Sequence, residues 1–522
     1  MKKKLLAIAL IFTMIFTMVA CGDSGNESAD NAAKTNLTII DSEWYGLDTF
    51  QLDGSSGGQS FVSATLFEWD PEESKVVDNV CTDWTVSDDG SYVTFNVPEG
   101  MKFSTGEPVE PEDVKASIEH GLEVSPYRDG YQNIESIEID GRQVKLNLSH
   151  FSSDMEYYFT ADFICIIDKD ELDSMSNEEL MWGCHPYGPY RLADENGYVS
   201  GSEVNLVRND DYICFNPLVK NQGAWNFETI KLRFNVEDFT ATEEILNGDV
   251  DYIMSLGKEQ MQEIKESEDI TIVNAAYPCI NYIELNTDDE VLSDINVRKA
   301  LALSINRDNL VEVTGGTVVP AYSIIYDTMQ CFSKEAYDWF KENLSNDPEK
   351  AKQILEEAGW VDTDGDGIRE KDGQKLQFTL YGWDSWSTAE QALAEQLKAT
   401  GFQMDLELID WNYIYEYMAD DDYDAGMSSL GWAEPILILN MCYYDKNSPG
   451  YNDQYLELVK ACSSEPDTEK RVDKITEVQM HMFENVDMIP LVGDNGFEAF
   501  RSGLTGYVVQ EDGTMLLNDL SY

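Results

Sequence analysis

Histidine is scarce in this chain, with four residues in 522, at positions 120, 150, 185 and 481. None pair at the close spacing that sets two imidazoles on one helical face, so no local metal centre is encoded and no metal or other cofactor is expected. Basic residues are few as well: 35 Lys and Arg stand against 99 Asp and Glu, a net charge of -64. Such a surface repels phosphates, which excludes nucleic acid as a partner, and it resists self-association. CxxC pairs are missing among the nine cysteines. No apolar run long enough to span a membrane occurs beyond the first twenty residues, and no phosphate-binding P-loop is present. Disorder is excluded by what is plentiful: 11 Trp, 27 Tyr and 21 Phe supply a large core.

The exception to the polar character is the start. Lys2, Lys3 and Lys4 precede an apolar stretch from Leu5 to Val19, which ends in Ala20-Cys21-Gly22. A basic head, a short apolar run and small residues at its end form an export signal. A Cys directly after that run is the bacterial lipobox layout, although Met18 replaces the more usual Leu. The reading is a signal over 1–20, lipidation of the Cys21 thiol, and a flexible tether over 21–35 made of small polar residues. The body would then stand on the extracytoplasmic face of the cell membrane. Eight cysteines remain, at 81, 165, 184, 214, 279, 331, 442 and 462. Their even number permits disulfides outside the cell, their wide spacing fits free buried thiols equally, and no bridge is assigned.

Along the body, Leu37 to Ile40 predicts a strand. Alternation on both sides of Asp88-Asp89-Gly90 predicts a hairpin, and Asp140-Gly141 a second one. Glu110-Pro111-Glu112-Asp113 opens a helix carrying Val114 and Ile118. One helix is predicted from Val297 to Val311. Another is capped by Asp347, starts at Pro348 and stops at Gly359. The stretch from Leu376 to Ile409 predicts strand, helix, strand. Ser387 and Glu390 stand at capping-box spacing, and Gly401 ends the helix. Such a unit makes its two strands parallel. Ligands bind in open α/β sheets beyond the carboxyl ends of such strands. Trp383, Trp386 and Trp411 lie there and are candidates for stacking on a ligand, with core or hinge packing an equal alternative.

These segments resemble the extracellular solute-binding lipoproteins of ABC importers, family 5, which bind oligopeptides, dipeptides and nickel. The stretch from Trp84 to Ser117, containing DGSYVTFNVPEGMKFSTGEPVEPEDVKAS, resembles the family signature. Gly188-Pro189-Tyr190-Arg191, Leu246 to Asp251, the run from Ile283 to Leu310 and Ile489-Pro490-Leu491 follow in the family's order. The resemblance implies an α/β fold of the periplasmic-binding-protein type, a class II clamshell with an extra inserted subdomain. Lobe one would comprise 36–66, 185–275 and 489–522, with 67–184 inserted. Lobe two would be 276–488. The implied partners are a peptide or similar small solute, trapped by lobe closure, and the permease subunits of the importer. A monomer, held to the membrane by its lipid, is expected.

Carried over by residue, Tyr127 matches a ligand-facing tyrosine. Met254 and Ser255 fall where some relatives use Asn. Gly431-Trp432 matches a strand end that precedes an Asp pairing the peptide amine, and Trp432 is a candidate ligand contact. That Asp has no counterpart here. Either Glu434 takes its place or the solute lacks a free amine. A metal-chelate or other non-peptide solute, and a surface sensor of the same fold, remain alternatives.

Two motifs point elsewhere. Asp362, Asp364, Asp366 and Gly367 fit the first half of a calcium loop, but position twelve is Gly373, and a solvated acidic loop is the better reading. Gly54-Ser55-Ser56-Gly57-Gly58 fits the GxSxG pattern without the strand before it that a nucleophile elbow needs. No nucleophile–base pair is assembled, and no enzyme activity is expected.

Overall fold

Alternating apolar residues in Asn36–Ile40 put Leu37 and Ile39 into the core and make this strand the centre of a large sheet. It runs parallel to Thr229–Arg233 on one side and to Tyr252–Ile253 on the other. Phe497–Arg501 and Ile270–Asn274 extend the sheet past Tyr252–Ile253. Glu203–Arg208 and Tyr190–Leu192 extend it the other way, and Tyr198–Val199 also pairs with Glu203–Arg208. The computed structural model describes residues 34–52, 57–161, 163–194, 196–275, 278–383, 386–410, 413, 418, 423–432, 434–443, 446–510 and 514–522. Cys21, Trp411 and the serines of the GxSxG stretch lie outside these residues, as do the export signal and all but the end of the tether. Among the described residues, no helix is long and apolar enough to cross a membrane.

A second sheet builds the other lobe. Its order is Val318–Pro320, Met488–Asp494, Cys279–Leu285, Ala425–Gly431, Gln377–Gly382, Gln403–Leu408. Cys279–Leu285 is buried at every position, as its central place requires. Gln377–Gly382 and Gln403–Leu408 pair in parallel with the helix Ser387–Lys398 between them, the βαβ unit expected from the sequence. Phe378, Leu380, Leu393 and Leu397 meet in its core, each contributing about 1.5–3 kcal/mol by leaving water.

The chain crosses between the sheets twice, after Asn274 and after Asp494. The two crossings lie side by side: Asn274 is in register with Phe497, and the Ala275 N–H donates to the Gly496 carbonyl at 3.0 Å. The return boundary expected at 489 therefore moves. Met488–Asp494 pairs with Cys279–Leu285 in the second sheet, and only Phe497 onward joins the first.

Residues 67–184 contain a four-stranded sheet ordered Thr82–Val86, Tyr92–Asn96, Gln143–Leu148, Ile134–Asp140. Its first hairpin turns at Gly90, whose φ of 66° is the left-handed conformation that glycine adopts without strain. The helix Pro111–Val124 buries Val114 and Ile118. These residues pack in one continuous core with Leu37, Ile39 and Trp44 of the first lobe.

Two helical expectations change. The single helix over 297–311 is two, Ile295–Ser304 and Arg307–Thr314. Asn306 breaks it, because its side chain caps the second helix by accepting from the Asn309 N–H. The capping box at Ser387 does not form. Glu390 instead turns back and accepts from the Trp383 N–H at 3.1 Å. The eight described cysteines are free and buried.

Candidate functional site

A cavity of about 360 Å³ lies against the first lobe and is touched from the second by Gln330. Its walls come from separate parts of the chain. Glu68 and Trp69 lie on the strand Phe67–Asp70, Phe163 follows the helix Asp154–Thr160, and Glu498 lies on Phe497–Arg501, just past the second crossing. Trp225 and the C-terminal residues 514–518 complete it. Gly188 abuts Val62 so closely that a Cβ there would meet the Val62 carbonyl oxygen at 2.2 Å, which explains the glycine ahead of Pro189-Tyr190.

The buried groups of this cavity that lack partners among the described residues include the Trp225 indole N–H and the Gln330 amide oxygen, besides the Ser63 hydroxyl. Trp225 and Gln330 are each 8% exposed. A buried polar atom without a partner costs free energy that a bound molecule would return. Glu498 is also out of balance. Burial holds its carboxyl up to about 7; the Tyr252 hydroxyl, which donates to it, pulls the other way, and the Asp41 charge pushes further up.

Beside the cavity the lobes meet along a seam. Trp432, at the end of Ala425–Gly431, packs against the cores of both lobes. Its ring lies edge-on to Tyr127, with centroids 5.3 Å apart, and 6.1 Å from Phe163. Further along, Arg471 of Thr468–Asn485 pairs with Glu156 of Asp154–Thr160 at 3.1 Å, both buried. The Ser153 N–H donates to the Ser463 carbonyl at 2.8 Å across the same seam. Glu434, 1% exposed, caps the helix Pro435–Met441 by accepting from the Leu437 N–H at 2.7 Å.

The residues singled out from the sequence thus separate. Tyr127 and Trp432 come together with Phe163, which lines the cavity. Trp383 is buried in the second lobe's core, and Trp386 packs on that core. Ser255 is exposed, while its neighbour Met254 lines the cavity. Glu434 lies in the seam as a helix cap. Sequence reasoning missed Glu68, Trp225, Gln330 and Glu498. A glutamate inside the apolar return strand Phe497–Arg501 was the one available signal.

The acidic loop is separate from this site. Oxygens of Asp362, Asp364 and Glu370 lie within 4.8 Å of one another. Glu370 accepts from the Thr363 N–H at 2.8 Å, and Lys375 pairs with Asp366. The four histidines are dispersed: His120 bonds Asp48, His150 bonds Ser149, His185 bonds Glu171, and His481 bonds the Gly450 carbonyl.

Residues 75–450, well over half of the chain, match the family model of bacterial extracellular solute-binding proteins, family 5 Middle. The chain is 24% identical over 543 residues to the oligopeptide-binding protein OppA of Bacillus subtilis (strain 168), with 94% of each covered. It is 21% identical over 485 residues to the dipeptide-binding protein of Escherichia coli (strain K12), covering 85% of this chain and 86% of that one. Among solved structures, NikA from Brucella suis in complex with Fe(III)-EDTA superposes with a TM-score of 0.77 at 19% identity, over 93% of this chain and 99% of that one. AppA from Bacillus subtilis in complex with a nonapeptide gives 0.65 at 20% identity, over 92% and 97%. With two sheets joined by paired crossings around a cavity, this chain belongs to the bacterial extracellular solute-binding proteins of family 5.

Proposed function

We propose that this protein is a lipid-anchored receptor on the outer face of the cytoplasmic membrane. It captures a peptide or similar small solute by closing its lobes and presents it to the permease of an ABC importer. The observation that carries this reading is the cavity beside the paired crossings, walled chiefly by one lobe and touched by Gln330 of the other. A solute touching both lobes binds the closed form better than the open one and so shifts the population toward it. The described lining holds neither His nor Cys, which favours an organic solute over a naked transition metal.

The test is mass spectrometry of small molecules released from the purified protein. A peptide or other compact solute in stoichiometric amount supports the reading; steady chemical turnover of that solute would overturn it. Loss of its uptake on deletion separates an importer subunit from a sensor.

Two variants probe the parts. Trp432→Ala is expected to weaken solute binding by more than about tenfold, because an aromatic packed on both lobes is a hot spot for closure. Unchanged affinity by calorimetry makes it packing alone. Cys21→Ser is expected to release the protein into the medium, since the thiol that carries the lipid is gone. Retention in the membrane fraction rejects the anchor.

A further inference from the structure

We propose that the cavity selects a solute that is a net cation, an ammonium-bearing compound with no free carboxylate. This rests on the receptor reading and names the chemistry of its solute. The first observation is the charge of the walls. The described lining holds two carboxylates, Glu68 and Glu498, and no Lys, Arg or His. None of the residues outside the described set beyond position 33 is Lys, Arg or His either.

The second observation is independent of charge. The Trp225 indole N–H and the Gln330 amide oxygen line the cavity more than nine-tenths buried and lack partners among the described residues. They call for a solute carrying both a neutral acceptor and a donor, as an amide does.

The third is aromatic. Trp69, Tyr157, Phe163, Tyr212 and Trp225 line the same space. Ring faces attract an ammonium. A carboxylate enclosed here would lose its water and meet two acids and no base. Rejection of the wrong charge is as much a part of specificity as attraction of the right one. The Glu498 carboxyl, held up to about 7 chiefly by burial, fits a site built to receive a positive group. Beyond the cavity, the -64 net charge of the chain draws cations toward it.

The test uses the full mature chain, dialysed free of carried solute, and three probes of nearly equal size: Gly-Phe-amide, Gly-Phe and N-acetyl-Gly-Phe-amide. Calorimetry at pH 7.5 is expected to show the cationic amide binding at least tenfold tighter than the zwitterion and tighter than the neutral acetylated form. Glu498→Gln is expected to remove most of the preference for the cation. Glu68→Gln provides a second route should the first variant fail to fold. Equal or tighter binding of the zwitterion overturns the proposal. So does amide affinity within twofold of wild type in both folded variants. Should no probe bind, native mass spectrometry of the solute carried through purification decides. A cation supports the proposal, whereas an anion or zwitterion overturns it and leaves the receptor reading standing. Absence of any bound solute overturns both.

Discussion

Arg471→Met is expected to destabilise the protein by about 3–5 kcal/mol, the usual cost of removing one partner of a buried ion pair. The guanidinium is enclosed and pairs with Glu156 at 3.1 Å, while its Nε also donates to the Glu465 carbonyl at 2.9 Å. Methionine matches its bulk, so the change isolates the charge. What remains is Glu156 buried in the seam, with Glu434 nearby and the cation that faced both gone. The two partners belong to opposite lobes, so the same change also favours opening. Urea unfolding reads the first effect and small-angle scattering the second. Adding Glu156→Gln to Arg471→Met should recover most of the loss, because no uncompensated carboxylate is then left at that position. A midpoint within experimental error of wild type for Arg471→Met alone would show that the pair does not hold the seam.

The contrast between two tryptophans shows where sequence reading succeeds and stops. Gly382-Trp383 and Gly431-Trp432 are the same dipeptide at the end of a strand in the same sheet. Local pattern makes both candidates. Glu390 draws the Trp383 backbone down onto its helix, and the ring enters the core of one lobe. Trp432 meets the other lobe, a contact that no local rule encodes. Elements whose partners are near in sequence were legible: the hairpin at Gly90, the βαβ unit, and the helix opening at Pro348.

The cavity was not legible, because Glu68, Trp225, Gln330 and Glu498 meet only when distant segments converge. Arg471 carried a signal that can be recovered. It shares the apolar stripe of its helix with Ile475, Val478 and Met482. A charge on such a stripe demands a buried counter-charge. Its partner is 315 positions away, and only the fold names it.

Glu434→Gln is expected to stabilise the protein at alkaline pH and to leave it nearly unchanged at about pH 4. Burial pushes the Glu434 carboxyl up to about 8, and the Asp154 charge adds to this against the opposing pull of the Leu437 N–H and Arg471. In the unfolded chain the same group titrates at about 4.3. Between these values the folded protein holds a proton that the unfolded chain has released. Stability from this group is therefore full below about pH 4 and is lost as pH rises to about 8, with a slope of up to about 1.4 kcal/mol per pH unit.

Asp154, also raised chiefly by burial, acts in the same direction. Glutamine keeps an oxygen to accept from the Leu437 N–H and cannot ionise, so the helix cap survives while the titration disappears. The measurement is urea unfolding of both proteins from about pH 4 to about pH 9. The general repulsion of an acidic chain also weakens the wild type as pH rises, but it acts on the variant almost equally. The difference between the two proteins therefore isolates the seam. It should open between about pH 4 and about pH 8 in favour of the variant and then level off. Parallel profiles across that range would mean that the Glu434 carboxyl is ionised in the closed protein, with Arg471 serving two buried anions.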